Sequence, residues 1–295
     1  MMYEIYHKTT FEYASPVSFS HNLVRLSPKW TPTQRVITSH IVVEPCAYEQ
    51  STFIDMFGNE TSYVLIREAH HCLSVTGHSS VFVDDVALSH SLDALYRVNV
   101  SYQEALTYLG EFHPEAIDAK LFLFESARIP KASKAIRSYA LDSFHPKRSL
   151  VEATVEFMRR IFEEFTFVSG FSDVTTPIEE IFEAKQGVCQ DFAQFAIAAL
   201  RSIGLPAKYM SGYIETEPND GERKLFGVDA SHAWVAVYIP TFGWMEFDPT
   251  NNIIPSGQHI VLSSGRDYND IAPLRGVVKS SGESKLSICV DVRAV

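Results

Sequence analysis

Gly187-Val188-Cys189-Gln190-Asp191-Phe192-Ala193 opens the helix around which the rest of the chain is organised. Phe192, Phe195, Ala196, Ala199, Leu200 and Ile203 recur at helical spacing, and Gly204 and Pro206 supply the stop. A helix with such an apolar face is central and buried. Its first residue is a cysteine that follows a glycine, where the unpaired N–H groups of the first turn and the helix dipole favour negative charge. The thiolate, not the thiol, attacks carbonyl carbon, so Cys189 is the candidate nucleophile.

Such a thiol needs a base and a group that orients the base. His232, Trp234, Ala236 and Tyr238 alternate with Ala233, Val235, Val237 and Ile239, the pattern of a strand. Pro240-Thr241-Phe242-Gly243 turns the chain, and Trp244 to Asp248 forms a second strand. If the pair puts Trp244, Glu246 and Asp248 on the His232 face, Asp248 falls opposite Trp234 or one step further along. His232 is then its diagonal neighbour at about 7 to 8 Å. A slip of one residue separates them onto opposite faces. The expected catalytic set is Cys189, His232 and Asp248, with N–H groups at the helix start, that of Cys189 among them, as oxyanion donors. Gln190 and Trp234 are the candidate substrate-binding or oxyanion residues, Trp234 being equally suited to fill core, and Asp191 suits the positive helix end. Taken singly, a cysteine in an apolar helix is usually core, and an aspartate before proline is usually a turn residue. Their order along helix, strand and strand is what joins them.

The 295 residues, 46% hydrophobic and 21% charged, have the profile of a soluble globular enzyme. A net charge of -11 without any cluster of Lys and Arg argues against nucleic acid as a partner. The N-terminus lacks a basic segment followed by a long apolar run, and no stretch of roughly 18 apolar residues occurs. A cytoplasmic protein with no membrane partner is expected. Four cysteines lie far apart with no CxxC pair, which fits free thiols, and Cys46, Cys72 and Cys289 are expected as buried small hydrophobes. His70-His71-Cys72 with His78 lacks the spacing of metal ligands and suits a sheet surface, so no metal is expected. The thiol chemistry requires no cofactor.

Residues 1–85 read as a β-rich, antiparallel, sandwich-like domain of short strands, with a hairpin turn at Phe57-Gly58-Asn59-Glu60. Residues 86–148 read as a helical connector packed on the core, broken at Pro114, Pro130 and Pro146. Residues 149–295 read as the catalytic core with C-terminal strands. Ser149-Leu150-Val151-Glu152 and Thr176-Pro177-Ile178-Glu179 have the form of capping boxes that open helices, and the polar stretch 216–224 suits an exposed loop. The fold class is α+β.

The segments Gly187 to Ala193, Ala230-Ser231-His232-Ala233-Trp234-Val235 and Gly243 to Thr250 resemble the three signature segments of the bacterial transglutaminase-like superfamily. Gly265-Arg266-Asp267-Tyr268-Asn269-Asp270 with Pro273-Leu274-Arg275-Gly276, and Asp55-Met56-Phe57-Gly58-Asn59 in the N-terminal part, are similar to the same group. The resemblance implies a papain-like core in which the central helix carries the nucleophile and packs on an antiparallel sheet. It implies a thioester acyl-enzyme on Cys189, His232 as acid and base, and Asp248 as its orienter. A peptide or protein is the implied substrate. Three activities fit: a cysteine peptidase or amidase, a cross-linking transamidase, or a non-catalytic interaction protein that retains the fold. No residue matches the aromatic oxyanion helper or the calcium sites of animal transglutaminases. Arg266, Asp267 and Tyr268 suit a solvated turn more simply than a cleft wall.

Overall fold

The computed structural model describes residues 1–215, 231–279 and 282–295; the loop expected over 216–224 lies outside them. Six strands come first: β1 (Met2–Val17), β2 (Ser20–Val24), β3 (Gln34–Glu44), β4 (Glu49–Ile54), β5 (Glu60–Ile66) and β6 (His70–Val83). The turn between β4 and β5 forms where the glycine allows it. Gly58 has φ +74°, and the Asp55 carboxylate accepts the backbone N–H groups of Phe57 and Asn59, both at 2.9 Å. Helices follow: α1 (Asp85–Tyr96), α2 (Tyr102–Gly110), the single turn α3 (Ile117–Lys120), α4 (Lys134–Leu141) and α5 (Leu150–Glu164). The chain then runs through β7 (Thr166–Phe167), α6 (Ile178–Ala184), β8 (Gln186–Gly187) and α7 (Cys189–Ser202). It ends with β9 (Ala207–Ile214), β10 (Ser231–Ile239), β11 (Gly243–Phe247), β12 (His259–Gly265), α8 (Tyr268–Ile271), β13 (Leu274–Val278) and β14 (Ser284–Ala294).

Two four-stranded antiparallel sheets, ordered β14-β1-β6-β3 and β13-β2-β5-β4, share one apolar core, to which Tyr3, Val24, Val64, Val75 and Val292 contribute. This is the expected sandwich, but its membership is wider. Sequence patterning groups 149–295 as one unit, whereas β14 pairs with β1 from Tyr3↔Ala294 to Tyr13↔Ser284, and β13 pairs with β2. Strand pairing is a non-local choice that alternation alone does not specify.

The third sheet, β11-β10-β9-β12, is antiparallel and carries α7 on one face. Residues 191–201 of α7 are buried all round rather than on a single face, because α4, α6, β9 and β10 enclose the helix. Tyr213, Ile260 and Leu262 of the same sheet enter the sandwich core. The sandwich and the sheet that carries the site are therefore packed together.

Local signals fared unevenly. Ser149 occupies the N-cap of α5 without a side-chain bond, and the reciprocal capping box forms instead at Ser101 and Glu104. Pro177, not Thr176, caps α6, since the Thr176 hydroxyl accepts the Asp173 N–H at 3.0 Å. The four cysteines are free thiols, but Cys46 and Cys72 are exposed and Cys289 half-buried, against the expectation of burial. Cys46 lies in the connection between β3 and β4, and Cys72 faces Glu12 beside the irregularity in the β1–β6 pairing. His70 is buried edge-on to Tyr13, whereas His71 and His78 are exposed.

Candidate active site

The start of α7 is held from both sides. Asp191, at the third helical position, reaches back to accept the Val188 N–H at 2.8 Å and also accepts the Ser172 hydroxyl. This fills the orphan-donor role of a capping carboxylate, and Asp191 is 3% exposed. Burial pushes its carboxyl up, against the bonds from Ser172 and Val188 that pull it down. Gly187 is required by this arrangement: a Cβ there would stand 2.8 Å from the Asp191 Oδ2 and 2.9 Å from its Cβ. Cys189 follows as the first residue of the helix and is half-buried.

His232 is the second residue of β10, and Asp248 follows the last residue of β11. The observed register, Val235↔Phe247 and Ala236↔Glu246, carries Asp248 to the place opposite Trp234 and keeps it on the His232 face. His232 Nε2 donates to Asp248 Oδ2 at 2.7 Å, and His232 and Cys189 line one cleft. With Nε2 engaged, Nδ1 is the ring atom left for sulfur. Burial pushes the His232 ring down, but the bond to Asp248 and then the influence of Cys189 outweigh it and lift the ring to about 9. Burial pushes the Asp248 carboxyl up, and the donors His232, His259 and Asn251 hold it well below the usual carboxylate range. An imidazolium held beside a thiol at a helix start is the arrangement that supports a thiolate nucleophile.

Asp248 is a hub with 0% exposure. Its Oδ2 also accepts His259 Nε2 at 3.0 Å and Asn251 Nδ2 at 2.8 Å, while Oδ1 accepts the Thr250 N–H at 2.9 Å. His232, Asp248 and His259 thus bring three ligand-type atoms within 4.8 Å of one another, a convergence explained by both imidazoles donating to one carboxylate oxygen. Sequence reasoning missed His259 and Asn251. Asn251 sits in the Asx-type turn after Asp248, a readable local signal. His259 arrives on β12, which pairs with β9 and not with β10 or β11, so nothing local announces it.

A cleft of about 230 Å³ opens over the sulfur, lined by Cys189, Gln190, Tyr209, His232, Tyr268 and residues of β1 and β14. Gln190 and Tyr268 are therefore at the cleft. Trp234 is not: it is 0% exposed, donates its indole N–H to Glu246 at 2.7 Å and fills core, its ring requiring Gly212, where a Cβ would stand 2.7 Å from the indole. Arg266 pairs with Asp270 at 2.8 Å, and Asp267 is 1% exposed, accepting the Arg128 N–H at 2.7 Å, so this segment is a buried clamp and not a solvated turn. Tyr209 was unremarkable in sequence; burial, then the field of Cys189, raises its hydroxyl well above its ordinary value, so the phenol stays protonated beside the thiol. The wall made by Phe11, Leu286 and Ile288 comes from the sandwich, which only the return of β14 explains.

Residues 137–249 match the transglutaminase-like superfamily, and residues 3–81 match the bacterial transglutaminase-like N-terminal region. Uncharacterised proteins of Mycobacterium tuberculosis and Mycobacterium bovis are 37% identical over 297 residues, spanning 98% of this chain and 92% of theirs. The chain belongs to the bacterial transglutaminase-like superfamily. A crystal structure from Cytophaga hutchinsonii, described as that of a candidate cysteine protease, shares the transglutaminase-like fold with a TM-score of 0.73 at 19% identity, covering 99% of this chain and 90% of that one. A protein-glutamine gamma-glutamyltransferase of Pseudomonas aeruginosa is 32% identical over 99 residues, 32% of this chain and 15% of that protein. Among the described residues, no helix of this transglutaminase-like chain is long and apolar enough to cross a membrane.

Proposed function

We propose that this protein is a thiol hydrolase, a cysteine peptidase or amidase, that cleaves a peptide or amide bond through a thioester on Cys189. One observation carries the reading: His232 donates to Asp248 and lines one cleft with the Cys189 thiol, which stands at the start of α7. The Cys189 thiolate attacks the carbonyl carbon, and the C–N bond breaks as the His232 imidazolium gives its proton to the leaving amine. Neutral His232 then takes a proton from water, the resulting hydroxide displaces the thiolate, and carboxylic acid product and imidazolium are restored. Asp248 holds the ring through Nε2 and offsets its positive charge. The Cys189 N–H and the protonated Tyr209 hydroxyl are donors for the oxyanion, and Gln190 contacts the bound chain. Phe11, Leu286 and Ile288 line the cleft, so an apolar substrate side chain is preferred against them.

The regional similarity to a protein-glutamine gamma-glutamyltransferase favours a second reading, transfer of the acyl group to an amine. The two separate on products from a glutamine peptide supplied with a primary amine. Amine incorporation supports transfer; cleavage or deamidation alone supports hydrolysis. Cys189→Ser and His232→Ala each remove nearly all activity in either case. A thiol-reactive amide probe that labels Cys189 no better than the exposed Cys46 refutes both.

A further inference from the structure

A cavity larger than the cleft over Cys189, about 400 Å³, lies behind the catalytic sheet, closed by α1 and by the chain between β2 and β3. That is the size of a small-molecule site. Its wall is mostly apolar, with Leu92, Phe242, Trp244 and Ile254 prominent. Three charged side chains face it: Lys29, Lys208 and Glu246. Lys29 is satisfied by neutral acceptors, the Phe57 carbonyl, Asn59 Oδ1 and Ser264 Oγ. Glu246 accepts the Trp234 indole N–H. Lys208 is different: its ammonium lies 4.3 Å from the Trp244 ring centre and, among the described residues, has neither a hydrogen bond nor a salt bridge. In a chain of net charge -11, two lysines against one carboxylate make this a locally positive, largely apolar chamber.

A second polar group is unpaired there. His259 lines the cavity and gives Nε2 to Asp248, yet its Nδ1 is buried with no partner. With the ring proton on Nε2, Nδ1 is an acceptor that awaits a donor. Buried groups of this kind are normally satisfied, so one left open on a residue of the cavity wall is a place for a contact supplied from outside the chain.

We propose that this cavity binds a small organic anion with an apolar, ring-sized body, its carboxylate on Lys208 and a hydroxyl donating to His259 Nδ1. Burial lowers the Lys208 ammonium to about 8, against the opposing field of Glu246, so it remains charged at neutral pH. The site is separate from the thiol cleft, with which it shares no lining residue. It is coupled to that cleft through one contact, His259 to Asp248, which adjusts the carboxylate that His232 shares. The coupling rests on the reading of Cys189, His232 and Asp248 as the reactive set; the binding does not.

The test is calorimetric titration of the full chain with 4-hydroxyphenylacetate, which carries all three features, beside phenylacetate, which lacks the donor, and tyramine, which reverses the charge. Saturable one-to-one binding of the first is expected. Loss of the charge in Lys208→Met weakens it about tenfold or more, and Lys208→Arg restores much of it. Phenylacetate binds more weakly and tyramine does not compete. Leu92→Trp, which fills the chamber from α1 and leaves Lys208 intact, abolishes binding. Cys189→Ser protein binds as the parent does, whatever becomes of the thiol chemistry. Absence of saturable binding in the parent, or binding unaltered by Lys208→Met and Leu92→Trp, overturns the site. Binding that leaves the His232 titration unmoved overturns the coupling.

Discussion

Replacing Asp248 by Asn tests the electrostatic core of the site in a single measurement. In the parent, a rise of the His232 ring from 6.5 to about 9 corresponds to about 3 kcal/mol in favour of the charged ring, at about 1.4 kcal/mol for each tenfold. Among the influences that raise it, the bond to Asp248 precedes the influence of Cys189. Burial works in the opposite direction and is untouched by the substitution. Asp248→Asn therefore drops the ring back to its ordinary range or below, and at neutral pH the imidazolium is largely lost. The assay is the histidine-ring nuclear magnetic resonance titration, with iodoacetamide alkylation of Cys189 followed across pH. Cys46, Cys72 and Cys289 are changed to serine beforehand, because the first two are exposed and compete for the reagent. Parent protein shows an imidazole titration near 9 and an alkylation profile whose alkaline change tracks it; the variant shows both displaced downward by more than one pH unit. A His232 titration that stays near 9 in Asp248→Asn protein of native circular dichroism refutes the reasoning.

Stability should follow the same groups. The His232 contribution is fully present below 6.5, its unfolded value, and is lost as pH rises through about 9, which a urea midpoint series from pH 6 to 10 detects as a decline absent from His232→Gln. Asp248, held below its ordinary range, contributes above 3.8 and loses that contribution on acidification, so Asp248→Asn flattens the acid side of the same curve. Gly187→Ala forces a Cβ to within 2.9 Å of Asp191 and should cost about 1 to 3 kcal/mol, read as a lower denaturant midpoint together with slower Cys189 labelling. Tyr209→Phe keeps the packing and removes the hydroxyl from the cleft; kcat should fall about 10- to 100-fold with KM little changed, and an unchanged kcat removes Tyr209 from the oxyanion site.

How much of this was legible before the chain was folded follows from the range of each interaction. Helix α7, its start at Cys189 and its stop at Gly204 are local matters of periodicity, dipole and a glycine at φ +87°, and they were readable. So was the hairpin of β10 and β11, because a turn of four residues ties the two strands and period-two alternation leaves few registers open; the register found is one of those expected. His232 and Asp248 come together as a consequence of that hairpin. Trp234 shows the limit: alternation places it on the His232 face, yet whether that face is cleft or core depends on what covers it, and Met210, Val261 and the absent Cβ of Gly212 make it core.

The sequence by itself determined the α+β class, the β-rich first third, the helix that Cys189 opens and the hairpin that brings His232 and Asp248 together. Only the tertiary structure decided the rest. It brought His259 from β12 to the Asp248 oxygen that His232 also uses, sent β13 and β14 back to complete the sandwich, and built the wall of the cleft from β1 and β14. The physical reason is the same in each case. Local propensities and alternation fix which face of an element is apolar, but partners distant in the chain are chosen by the joint packing of several such faces, and no single segment carries that information.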